Sequence, residues 1–247
     1  MLQFQRLINL NDDNGSIFMK IFKHSCLALL ACSSLALTSL VSTSLAFAQM
    51  GDIEYEWQEK RNKKGIVIQT SKVAGSNYRA VRGEMQVKGS VASLVALIED
   101  MPSCPKWADL CKESRVEKRV SATESYVYVY NDLPFPVSDR DVYAHVVWTQ
   151  DSTTGRVTMT SIAAPSGTPN TKAVRIQDAV SQWHLTANQD GTTTVESFAH
   201  IDPNGPTPAW ITNLLLIDSP YKSMTNMRSI IEAGDYADAQ VPFLENF

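Results

Sequence analysis

Apolar and polar side chains alternate through most of the chain from residue 66 onward, a period-two pattern that predicts strands. Ile66, Ile68 and Thr70 alternate with Val67, Gln69 and Ser71. Gly75-Ser76-Asn77 turns the chain and Tyr78–Val87 returns, so 66–87 reads as a hairpin. The period then changes. Val91, Leu94, Val95 and Ile98 fall at helical spacing behind Gly89-Ser90, which predicts a capped helix over Val91–Glu99. Met101–Leu110 reads as irregular. Five strands are predicted after it: Glu113–Val120, Glu124–Asn131, Arg140–Gln150, Arg156–Ile162 and a long one, Ala173–Ala187. A last strand, Thr192–Ile201, follows the turn at Asn188–Gly191. Such short connections imply antiparallel pairing. Ahead of the hairpin, Asp52–Asn62 reads as a short helix.

The end of the chain is helical. Thr207 can cap, Pro208 suits a first helical position, and Gly234 can stop the helix after about Ala233. Trp210, Leu214, Ile217, Tyr221, Met224, Arg228 and Ile231 share one face, and Pro220 predicts a kink. The acidic tail from Asp235 is expected to be loosely held. The order predicts an α+β architecture: a curved antiparallel β-sheet wrapped around a long C-terminal α-helix. A gap between the helix and the concave face would be an internal hydrophobic cavity.

Composition changes this picture at the N-terminus. In the 247-residue chain, Met19-Lys20 opens a basic stretch followed by an apolar run from Cys26 to Phe47. The run closes on Ala46-Phe47-Ala48, the layout of a cleaved secretory signal peptide. The expected organisation is a leader over 1–48, one domain over 49–234 and a tail over 235–247. The expected location is exported and periplasmic. A retained membrane anchor remains an alternative, as does a lipoprotein through Leu29-Leu30-Ala31-Cys32. The formal net charge is −4 and no basic stripe occurs, which argues against nucleic acid. Cys104 and Cys111 flank a Pro-containing turn, and in an oxidising compartment they are expected to form a disulfide.

The stretch Leu133–Trp148 is the most distinctive. Pro134 and Pro136 stiffen a loop around Phe135; Ser138-Asp139-Arg140-Asp141 follows, then a strand with bulky groups on both faces. Pro136-Val137-Ser138-Asp139-Arg140-Asp141 with Tyr143 resembles the START family, the steroidogenic-acute-regulatory-related lipid-transfer domains. So do Tyr78–Glu84, Cys104-Pro105-Lys106-Trp107, Pro208-Ala209-Trp210-Ile211, Ser219-Pro220 and Met227-Arg228. The resemblance covers about Glu54–Ala233 and looks most like the bacterial, exported branch. It implies a helix-grip fold and a non-enzymatic cavity for one lipid or sterol, covered by the C-terminal helix. Some members carry a charged pair in the cavity, including an arginine on the strand after Arg-Asp. Here Val142–Trp148 holds no arginine.

Candidate cavity-lining residues are Trp107, Tyr143, Trp148, Met159, Trp183, Phe198, Trp210, Leu214, Ile217, Tyr221 and Met224. Such aromatic and apolar groups line ligand pockets, although ordinary core packing uses them equally. Arg140 and Asp141 are expected to hold the Pro loop structurally, with a bidentate Arg–carboxylate bond suited to the task. Tyr126, Tyr128 and Tyr130 share one face of their strand, which reads as the solvated one, with Val127 and Val129 inward. His145, His184 and His200 lie on three strands without ligand spacing, so neither metal nor cofactor is expected. The expected partner is a lipid or sterol-like molecule, with transient membrane contact and a monomeric state. Ligand entry is expected through motion of the 207–233 helix or the Ala164–Thr171 loop, with Gly205 and Gly167 as hinges. The rival readings are a cyclase-like enzyme acting on a polycyclic substrate and an envelope protein whose pocket is filled by side chains.

Overall fold

Ten strands form one sheet among residues 55–164, 172–205 and 208–245, which the computed structural model describes, Ala209 and Trp210 by backbone alone. They are β1 (Gln58–Lys63), β2 (Ile66–Ser71), β3 (Ala80–Lys88), β4 (Cys111–Arg119), β5 (Glu124–Asn131) and β6 (Arg140–Gln150). β7 (Val157–Ala163), β8 (Val174–Arg175), β9 (Asp178–Ala187) and β10 (Thr192–Asp202) complete the set. The order across the sheet is β1-β2-β3-β10-β9-β7-β6-β5-β4, with β8 paired to β6 off this path. Every pairing is antiparallel except β6–β8.

The helices occupy one face. α1 (Val91–Glu99) starts where Ser90 accepts a hydrogen bond from the Ser93 amide. A 3₁₀ turn (Met101–Ser103) leads into α2 (Cys104–Trp107). Cys104 and Cys111 are joined by a disulfide, tying α2 to the start of β4. α3 (Ala209–Asn213), a π-helical segment (Leu214–Asp218) and α4 (Ser219–Ala233) make the C-terminal helix, which Gly234 ends in the left-handed conformation. Inward-facing residues of the sheet, including Ile66, Ile68, Met85, Leu185 and Val195, form the core with Leu94 and Leu97 of α1 and Met224, Met227 and Ile231 of α4.

Four expectations are corrected. The leading helix is an edge strand, β1, whose side chains are almost all exposed; ladder bonds to β2, not an apolar face, hold it. The long strand at 173–187 is two strands. β8 runs parallel to the start of β6, with Arg140 opposite Val174, whereas β9 pairs with β7. The kink at Pro220 is replaced by the π-helical segment just before it, where the Ser219 amide donates to Leu214. Proline lacks the amide that would continue the regular ladder, and the wider turn accommodates its ring. The tail is not loose. Tyr236 donates to Asp100 at 2.7 Å, the Glu245 amide donates to Gln150 at 2.8 Å, and the Phe243 and Trp148 rings lie 6.0 Å apart. The 1–48 leader, the Thr207 cap and all but Ala164 of the Ala164–Thr171 loop lie outside the described residues.

Candidate functional site

Strand alternation gives the sheet two faces of different chemistry. On the inner face the register aligns Ser125 with Val146, Val146 with Ser161, Ser161 with Ser181, and Ser181 with Ala199. The next row is Trp148, Met159 and Trp183, then Ser197 and Gly83. Small side chains in the first row leave space that large ones in the second row bound. The result is a cavity of about 200 Å³ under the α1–α2 corner. Its wall includes Ile98, Met101 and Trp107 above and Val127, Val129, Val142, Ala144, Met159 and Trp183 below.

Trp107 and Trp183 meet edge to face at 5.9 Å across this space. Trp107 is 8% exposed, and its indole Nε1–H has no hydrogen-bond partner among the described residues. The disulfide and a hydrogen bond from Asn226 to the Trp107 carbonyl fix α2 in place. Among the described residues Glu99 is the only charged side chain in the wall; it receives Arg119 at 2.8 Å and Trp148 Nε1 at 2.7 Å. A larger depression of about 410 Å³ lies elsewhere, between α1 and tail residues 240–243, and opens on the surface.

The structure brings together Trp107, Met159 and Trp183 at the cavity and puts Trp148 in the adjacent row. Tyr143 is on the opposite face of β6, stacked on Tyr126 at 5.7 Å, because inward positions of this strand are the even ones. Phe198 is likewise on the outer face, edge-on to Tyr55 and Trp57. The C-terminal helix runs over β2 and β3 and packs on α2, and its described side chains do not line the cavity. Met224 sits instead against Gly83 and Ser197. Tyr221 packs on the core with the Arg61 guanidinium 5.0 Å from its ring centre. Leu214 and Ile217 are half-buried in the π-helical segment, and the Trp210 side chain is outside the described residues.

The polar network lies at the start of β6 and on the outer face. Arg140, an even position of β6, is buried and donates to three backbone carbonyls, of Ser138, Pro203 and Asn204, pinning the start of β6 to the β10–α3 connection. The bidentate partner of Asp141 is Arg175 of β8, at 2.7 and 2.8 Å, not Arg140. Asp141 also accepts from Tyr128, which is 1% exposed rather than solvated and lies under the Arg115 guanidinium at 4.1 Å. Tyr130 donates to Asp139; that bond pushes the phenol up to about 12 and holds the carboxyl below its ordinary range. The three histidines are separate on this outer face. His145 meets Glu124, His184 meets Thr158 and His200 meets Ser76. Burial lowers the His184 pKa. Among the described residues no group of three or more His, Cys, Asp or Glu is placed to hold a metal ion.

A sequence profile described as the START domain matches residues 43–229. The chain belongs to the START domain family. An uncharacterized protein of Pseudomonas aeruginosa is 32% identical over 178 residues, covering 72% of this chain and 87% of that relative. The STAR-related lipid transfer protein of Xanthomonas axonopodis superposes with a TM-score of 0.65 at 30% identity, over 71% of this chain and 98% of the other. Human StAR-related lipid transfer protein 5 superposes with a TM-score of 0.61 at 15% identity, over 72% of this chain and 86% of that one, a likeness of fold alone. The curved sheet and C-terminal helix are therefore the START helix-grip fold.

The residues missed from the sequence are the small inward ones, Ser125, Ser161 and Ser181. Their signal was available. Each occupies a strand position whose inward neighbours two residues away are large and apolar, namely Val127, Met159 and Trp183. A serine there trades packing for space.

Proposed function

We propose that this START domain binds one lipid or other hydrophobic ligand in the cavity between the inner sheet face and the α1–α2 corner, as a non-catalytic carrier. The observation that carries the reading is the row of small residues, Ser125, Ser161 and Ser181, which keeps an apolar space open in an otherwise packed interior. The likeness to the lipid transfer protein of Xanthomonas axonopodis supports the same reading. The space is below the range of about 300–1,000 Å³ usual for ligand pockets. It takes one end of a lipid as it stands and must widen, or let the rest project, to hold more. Each buried methylene adds about 0.8 kcal/mol, so an acyl or isoprenoid chain supplies affinity without a dedicated anchor. The enzyme reading calls for acid–base groups converging on this space, and all three candidate histidines occupy the other face.

α4 is held at Gly83 by Met224, at Gly89 by Ile231 and at Asp109 by Ser223, and Asp218 is held by Arg61 at 2.7 Å, so in this reading the moving part is residues 208–217. Membrane contact falls to the tip of the Pro134–Pro136 loop, where Phe135 is 94% exposed between two exposed prolines. Export accords with the Ala46-Phe47-Ala48 ending of the leader and with the Cys104–Cys111 disulfide, since disulfides persist in oxidising compartments. The reading is tested by Ser161→Phe, which fills the cavity from a strand position that tolerates an aromatic. The variant is expected to fold with an unchanged circular-dichroism spectrum and to lose lipid uptake from vesicles. Full uptake by the folded variant would place the ligand elsewhere.

A further inference from the structure

The wall of the cavity selects by charge as well as by shape. Among the described residues its side chains include neither lysine nor arginine. The one charge among its described residues is the Glu99 carboxylate, already engaged by Arg119 and by Trp148. An anion placed here would lose its hydration, find no counter-cation and face a carboxylate, which is the costly combination for a buried charge.

The wall is not wholly apolar, however. The hydroxyl groups of Ser125, Ser161 and Ser181 belong to the inner face, and a hydroxyl can both donate and accept. Beside them Trp107 carries a buried Nε1–H without a partner among the described residues. Buried polar groups are paired in the great majority of cases, and an orphaned donor calls for an acceptor. Indole donates and cannot accept. The missing partner is an acceptor, which in a lipid is an oxygen, and a wall without a cation among the described residues suits a neutral one.

We propose that the ligand end entering this cavity is an uncharged, oxygen-bearing group, a hydroxyl or carbonyl, that accepts from Trp107 Nε1 within reach of Ser125, Ser161 and Ser181. The ligand class is thus a neutral lipid: a long-chain alcohol, a neutral ester or ketone, or an isoprenoid alcohol or quinone. A fatty-acid carboxylate or a phosphate group is excluded from the buried end. This deepens the lipid-binding reading and rests on it.

Three probes of equal chain length separate the two claims: oleyl alcohol, oleate and 1-octadecene. Each is offered to the protein in phosphatidylcholine vesicles at pH 8, and one-to-one adducts are counted by native mass spectrometry. The expected result is uptake of the alcohol at least about tenfold above oleate, with the hydrocarbon also entering. Trp107→Phe keeps a flat ring and removes the donor. It should weaken oleyl alcohol about tenfold, the worth of one hydrogen bond to a buried partner, and leave 1-octadecene unchanged. Oleate uptake equal to that of the alcohol in the unmodified protein overturns the neutral-lipid proposal and leaves lipid binding standing. A Trp107→Phe protein that folds and binds the alcohol as before overturns the role of Trp107. Uptake of none of the three probes overturns both claims.

Discussion

Two glycines set how closely the long helix approaches the sheet. A methyl group on Gly83 would lie 2.5 Å from the Met224 sulfur and 2.8 Å from the Ser197 hydroxyl, and one on Gly89 would collide with the Ile231 side chain. Methionine repacks readily, whereas β-branched isoleucine is stiff at χ1. Gly83→Ala should therefore cost about 1 kcal/mol and Gly89→Ala about 2–3 kcal/mol, within the usual range for overpacking. Urea unfolding midpoints measure both, and a Gly89→Ala protein no less stable than Gly83→Ala would contradict this packing. Neither role is readable from the chain, where Gly83 falls inside a predicted strand and Gly89 reads as part of a helix cap. At other positions residue type is informative. Val127 and Val129 face inward as their apolarity requires, and Cys104 and Cys111, on either side of a Pro-containing turn, pair as expected. Tyr143 and Phe198 mislead for one reason: a large aromatic reads as core, whereas here each is half of an aromatic pair on the outer face.

Elements with a strong period are legible in the sequence, and elements held by partners are not. α1, β5 and β6 fall on their predicted residues because their apolar spacing is clear and their ends are marked. β1 reads as a helix because an edge strand with polar residues on both faces has no period of its own. The tail belongs to the same class. Val241, Phe243 and Leu244 look like isolated apolar residues in an acidic segment, yet each packs on the core beside Tyr236. The match to the family profile ends at residue 229, so this strap lies outside the matched residues. Removing residues 235–247 should expose Trp148 and the outer side of α1 and lower stability by roughly 2–4 kcal/mol, the worth of a few half-buried apolar side chains and hydrogen bonds. Thermal unfolding tests this, and an unchanged midpoint would show that the strap is only resting on the surface.

At the scale of the whole molecule, the helix-grip order is legible and the location of the cavity is not. The sequence pattern puts the gap beneath the C-terminal helix, because that helix carries the longest apolar stripe. In the fold the stripe is consumed by packing: Met224, Met227 and Ile231 are buried on β2, β3 and α1. The free space lies one helix away, under α1 and α2, where the inward row of the sheet is serine and alanine. A cavity is a deficit of side-chain volume, and hydrophobic periodicity records only where volume is present. The outer face completes the division of labour: its tyrosines, arginines and carboxylates brace the sheet, while the inner face is mostly apolar.

The central claim is that this inner space holds one hydrophobic molecule. Native mass spectrometry of the protein isolated from its own cells, followed by solvent extraction of what is released, tests it most directly. The account predicts a one-to-one adduct whose extracted component is a neutral lipid, absent from Ser161→Phe. A clean apo mass that persists after incubation with a total lipid extract would contradict it.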